Sequence, residues 1–155
     1  MIPFLTPLNE AQLRSQHIPA PWAYGLADRV RFGELDVLGH VNNAAYLRWF
    51  ENLRIQYFRD YGLFDYSGTA PKLVLRGLSL AFLKEVKLND EYVLTGRTVA
   101  MRTNSFTMQY GVWVDGQLTT TGDAVIVSLN DDNSKRALSD AVRNTLVDRD
   151  GAAAS

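Results

Sequence analysis

The hydrophobic period switches from helical to strand-like in the middle of this chain, and that change limits what the chain can fold into. From Tyr46, large apolar side chains recur at Phe50, Leu53, Tyr57 and Tyr61, with Trp49 beside them. Spacings of three and four put them on one helical stripe. Arg48, Asn52 and Arg59 fall roughly opposite, and Gly62 follows as a stop signal. The pattern predicts a helix from Asn43 to Tyr61, roughly 27 Å long at 1.5 Å per residue. Beyond Gly68 and Pro71 the period becomes two. Leu78, Leu80 and Phe82 alternate, then Val86 and Leu88, before the turn pair Asn89-Asp90. Tyr92 to Met101, Phe106 to Val114 and Gln117 to Leu129 read as three more strands, with the hairpin dipeptide Asp115-Gly116 between the last two.

An earlier strand is expected over 23–33, where Tyr24, Leu26, Val30 and Phe32 broadly alternate with polar positions. Short connections make neighbouring strands antiparallel. One apolar helix facing one antiparallel sheet is an α+β solution, and strands this long must curl around the helix to bury it. The expected fold is therefore a long antiparallel sheet wrapped around one central helix. Residues 8–16 suggest a short helix ended by Pro19 and Pro21, and 135–148 a terminal helix with Leu138, Val142 and Leu146 at spacing four. The tail from Gly151 to Ser155 is expected to fray. The length of 155 residues suits one domain over 1–155, with a core about 23–130. The wrapped sheet leaves edges and an outer face open, which favours a dimer or tetramer.

Composition narrows function. A net charge of −1 gives no electrostatic reason to expect nucleic acid, whose footprint would be a basic face. With no cysteine in the sequence, disulfides, thiolate metal sites and a cysteine nucleophile are excluded. That absence fits a cytoplasmic protein. The N-terminus lacks the pattern of a signal peptide, and no apolar run is long enough to span a membrane. Two histidines without cysteines make a metal site unexpected.

The chemistry is expected in Asp36-Val37-Leu38-Gly39-His40-Val41-Asn42-Asn43, between the first strand and the helix. A helix N-terminus presents unpaired N–H groups and partial positive charge, which would stabilise a developing oxyanion. Gly39 lets backbone approach a ligand closely. Asp36 lies seven residues before Asn43, so its carboxylate can fold back as nucleophile or as base for water. His40 could orient water or ligand. Plainer readings stand beside these. Asn42 or Asn43 is a natural helix cap, Asp36 a natural turn residue, His40 a structural histidine, and Glu51 a solvated or salt-bridged side chain near Leu47 and Phe58.

The stretch from Val30 to Glu51, VRFGELDVLGHVNNAAYLRWFE, resembles the signature of the hotdog-fold thioesterases. In particular it is similar to the 4-hydroxybenzoyl-CoA thioesterase and acyl-CoA thioesterase branch, and the strand–helix–meander order agrees over roughly 23–130. The resemblance implies that Asp36 is the catalytic carboxylate and that the backbone N–H near Asn43 polarises a thioester carbonyl. It places His40 and the helical Glu51 among the candidate catalytic residues. Plant acyl-carrier-protein thioesterases carry a similar Asp…His-Val-Asn-Asn stretch. Leu38 stands where those have an asparagine, and Glu85 where the family often has a proline.

The activity expected is hydrolysis of an acyl-CoA or acyl-carrier-protein thioester, with no cofactor beyond the CoA of the substrate itself. The acyl chain is expected along the helix, near Tyr46 and Phe50. Among the available cations Lys84, Lys87, Arg76, Arg97 and Arg102, the turn Arg102-Thr-Asn-Ser105 is chosen for the nucleotide end. The rival readings are a hotdog hydratase or dehydratase, for which an Asn-Pro before the histidine is missing, and a non-catalytic acyl-binding protein.

Overall fold

The structure, a computed structural model, describes residues 1–64 and 67–154. The helix expected from the stripe of aromatic residues is α2, Asn43–Asp60, with Tyr61 as its C-cap. Its apolar face is fully inside: Phe50, Leu53 and Tyr57 have no exposed surface. Burying a side chain of this size contributes about 1.5–3 kcal/mol.

The sheet that receives it comprises β1 (Gly25–Arg29), β2 (Lys72–Phe82), β3 (Glu91–Met101), β4 (Ser105–Val114) and β5 (Gln117–Leu129) in the order β1-β3-β4-β5-β2, all antiparallel. Alternate residues of the strands face α2, as the period of two requires. Met108, Tyr110 and Val112 of β4 and Ala124 and Ile126 of β5 are buried against it. Phe50 stacks flat on Tyr110, with ring centroids 4.7 Å apart. Gly122 makes room for that stack, because a Cβ there would come within 2.9 Å of Leu80 Cδ2 and 3.4 Å of Phe50.

The strand expected over 23–33 is shorter. It ends at Arg29, where the chain turns through a 3-10 segment, Phe32–Glu34, toward α2. The first strand of the meander starts earlier than its alternation suggests, at Lys72, and stops at Phe82, so buried Val86 lies in an irregular connection. Residues 1–22 form an arm over the outer face of the sheet. It carries α1 (Glu10–Ser15), capped by Asn9, and packs Leu8, Leu13, Ile18 and Trp22 against Ala27, Val93 and Trp113. Backbone bonds from Leu5 to Ala27 and from Leu8 to Gly25 cover the edge of β1. Among the described residues no strand covers the outer edge of β2.

The terminal helix α3 is Asp140–Asp150 and starts later than its spacing predicts. Lys135 pairs with Leu129 and Leu138 N–H bonds to Thr103, which keeps that stretch extended, and Ser139 then caps the helix. The tail does not fray over 151–154. Ala152 is buried, and a short strand β6, Ala153–Ala154, pairs in parallel with Ala100 and Met101 of β3.

Candidate active site

Asp36 opens a tight hairpin whose rungs lead back to the start of α2. Its backbone N–H donates to the His40 carbonyl at 2.8 Å, and Gly39 N–H donates to the Asp36 carbonyl at 3.1 Å. Leu35 pairs with Val41, and Asn42 N–H donates to the Glu34 carbonyl at 2.8 Å. Gly39 has φ +79°, the left-handed value that a three-residue hairpin loop needs at its third position. A Cβ there would meet nothing within 4 Å, so the turn conformation accounts for the glycine. A bond from Val41 N–H to the Val86 carbonyl holds the hairpin against the connection between β2 and β3, and one from Val30 N–H to the Asp90 carbonyl ties the end of β1 to the same connection.

The Asp36 side chain caps its own turn. Oδ1 accepts the N–H of Leu38 at 2.9 Å and of His40 at 3.2 Å. Among the described residues Oδ2 has no hydrogen-bond partner, and the residue is exposed. The turn role and an available carboxylate oxygen therefore coexist in one side chain.

The helix start shows a similar division. Asn42, not Asn43, is the cap: its side chain accepts Ala44 N–H at 2.7 Å and its carbonyl accepts Ala45 N–H at 2.9 Å. The Asn43 N–H finds no acceptor among the described residues. It sits at the positive end of an 18-residue helix. Asp36 and Asn42 lie on opposite arms of the hairpin, two rungs apart.

His40 pairs with a residue from outside the motif. Its Nε2 lies 2.7 Å from Glu85 Oε2, and Glu85 Oε1 lies 3.1 Å from Lys87 Nζ. Lys87 first, and then His40, hold the Glu85 carboxyl below the usual carboxylate range.

The profile of the thioesterase-like superfamily matches residues 30–146. The chain belongs to the thioesterase-like superfamily. A thioesterase-superfamily protein of Jannaschia sp. CCS1 has a solved structure that aligns over 100% of both chains at 45% identity and a TM-score of 0.95. A thioesterase of Thermus thermophilus, solved in complex with coenzyme A and zinc, aligns over 82% of this chain and 93% of its own at 29% identity and a TM-score of 0.71. The uncharacterised protein YsmA of Bacillus subtilis is 29% identical over 107 residues, 68% of this chain and 72% of its own. The sheet wrapped on one helix is the hotdog fold of this superfamily.

Within that fold the other expected site residues are scattered. Glu51 is exposed on α2, one turn from Leu47 and Ile55, and has no hydrogen-bond or ion-pair partner among the described residues. Tyr46 is buried between Trp49 and Phe82, with centroids 5.0 and 5.1 Å away, and as packed here Phe50 offers no surface to a ligand. Arg102 and Ser105 line a cavity of about 550 Å³ with Arg76 and Thr107. That cavity lies at the Met101 end of β3, whereas the Asp36 hairpin lies at the Glu91 end; the strand between them is about 30 Å long. The structure does not bring Arg102 and Ser105 to the Asp36 of the same chain. Among the described residues no group of three or more His, Asp or Glu side chains is placed to hold a metal ion.

Two acidic residues have partners that local pattern does not predict: Glu85, which meets His40, and Glu34, which meets Trp49. Glu34 sits two residues before Asp36 in the matched stretch, where an acidic residue at hairpin spacing was the available signal.

Proposed function

We propose that this protein hydrolyses acyl-CoA thioesters. The observation that carries the reading is the pair of unused groups at the two ends of one hairpin: Asp36 Oδ2 and the Asn43 N–H. The Asn43 N–H donates to the developing oxyanion, where helix polarity and a fixed donor favour it. Asp36 acts in one of two ways. As nucleophile, Oδ2 bonds to the carbonyl carbon, the C–S bond breaks, and CoA leaves as thiolate; water then cleaves the mixed anhydride. As base, Oδ2 takes a proton from water, the hydroxide adds, and the proton passes to the departing sulfur. His40, oriented by Glu85, is positioned to direct the water.

Membership of the superfamily and a relative in complex with coenzyme A support a CoA thioester as substrate. The site is read as a dimer's. Val74 and Leu75 are partly exposed on β2, whose outer edge is an open template for a second strand. Pairing of two such edges would join two sheets and bring a second subunit alongside each α2.

Release of free thiol from a panel of aliphatic and aromatic acyl-CoAs and acyl-carrier proteins tests the reading. Turnover of at least one is expected. Water addition to an enoyl thioester without thiol release would overturn it in favour of a hydratase. Binding without any turnover would leave an acyl-binding protein.

A further inference from the structure

Glu34 is tied at three points. Its Oε2 accepts the indole N–H of Trp49 at 2.5 Å, its Oε1 accepts the backbone N–H of Arg31 at 2.8 Å, and its carbonyl accepts Asn42 N–H at 2.8 Å. Asn42 is the cap of α2, and Trp49 lies two turns along the same helix. Trp49 cannot follow a moving partner: it is 4% exposed and stacks on Tyr92 of β3, with centroids 4.1 Å apart. The indole is therefore a fixed point, and Glu34 fastens the base of the Asp36 hairpin to it.

We propose that Glu34 is a positioning residue that sets the separation between the Asp36 carboxylate and the Asn43 N–H. The proposal rests on the reading of those two groups as the thioesterase site. Both partners of the Glu34 side chain are N–H donors, so the position needs an acceptor at each oxygen. Glutamine supplies only one and turns an amide donor toward the other. A hydrogen bond to a carboxylate is also shorter and roughly twice as strong as a neutral one. A misplacement of about 1 Å at reacting groups costs of the order of 100-fold in rate.

The test uses Glu34→Gln, Trp49→Phe and the double variant in the full chain. Trp49→Phe keeps a ring against Tyr92 and removes the donor. Each single variant should lower kcat about 10- to 100-fold with KM within about threefold. The double variant should be no slower than the slower single, because both remove the same bond. Losses that multiply, or an unchanged kcat in folded protein, would overturn the proposal. Asp36→Asn serves as the separate control: wild-type kcat there sinks the reading of the site, not of the brace. Backbone amide exchange reads the brace without any substrate. In Glu34→Gln the amides of Asn42 and His40 should exchange at least tenfold faster while those of β4 stay slow; unchanged exchange at both would refute the brace.

Discussion

Tyr61, the C-cap of α2, donates its phenol to Asp150, the last residue of α3, at 2.7 Å. The other oxygen of the same carboxylate accepts the Tyr57 hydroxyl and, at 2.7 Å, the N–H of Thr98 on β3. Asp150 is 6% exposed, and it is the acceptor for the Tyr61 phenol and the Thr98 N–H, while the Tyr57 hydroxyl also has Thr98 Oγ1 at 2.8 Å. Asp150→Ala should therefore destabilise the protein by at least about 2 kcal/mol, since each of the two orphaned buried donors costs about 1–3 kcal/mol. Urea unfolding measures this. The folded fraction should keep its turnover, because the cluster lies at the opposite end of α2 from Asn43. A loss under about 1 kcal/mol would mean that water replaces the carboxylate.

The same cluster sets the response to alkali. Burial first, then the charge of Asp150, raises the phenols of Tyr57 and Tyr61; burial and the hydrogen bond to Asp60 raise Tyr24. Burial likewise raises Tyr46, Tyr92 and Tyr110. A pKa higher in the folded state means that the folded state holds its proton more tightly. The stability this contributes is fully present below the ordinary phenol value of about 10 and is lost as pH rises above it. Phenolate absorbance should then rise together with loss of tertiary signal. A smooth titration centred near the ordinary phenol value of about 10, with the fold intact, would contradict the burial described here.

Asp36 has a turn role and a proposed chemical role, and one substitution separates them. Asparagine keeps an Oδ1 to accept Leu38 and His40 N–H but loses the charge at the other position. Asp36→Asn should lower kcat at least about 100-fold, within the range of acid–base and nucleophilic groups, with a stability change under about 1 kcal/mol. Asp36→Ala should lose both. Near-normal turnover in Asp36→Asn would leave only the turn.

The open edge of β2 makes a prediction about mass. Sedimentation should give twice the chain mass of 17.4 kDa. Val74→Lys places a charge on an edge with a partly exposed valine and should raise the dissociation constant at least about tenfold. Thiol release should fall in parallel. A monomer with full activity would show that one chain completes the site.

Much of the fold is legible in local pattern. The stripe from Tyr46 to Tyr61 specifies α2 to within a residue, because spacings of three and four have one geometric solution. The Asp115-Gly116 turn and the alternation on either side specify β4 and β5, and φ is positive at both turn residues. The DVLGHVNN segment marked where to look, since a carboxylate, a glycine and a cap residue before a helix have local meanings.

What local pattern leaves open depends on partners distant in the chain. Glu85 meets His40 and Glu34 meets Trp49 only once the connection after β2 and the first turns of α2 are packed together. Ala153 and Ala154 pair with β3 although small residues carry no signal of their own, because their partner is a sheet edge more than fifty residues away. Arg102 and Ser105 looked suited to the substrate by type, but β3 sets them at the far end of the sheet. The sequence by itself determined the helix, the strands, the hairpin segment and the residue types at its ends, since those follow from spacing and backbone preference. Tertiary structure alone decided which distant residues meet this segment, Glu85 at His40 and Trp49 at Glu34, because those contacts form only when elements far apart in the chain pack together.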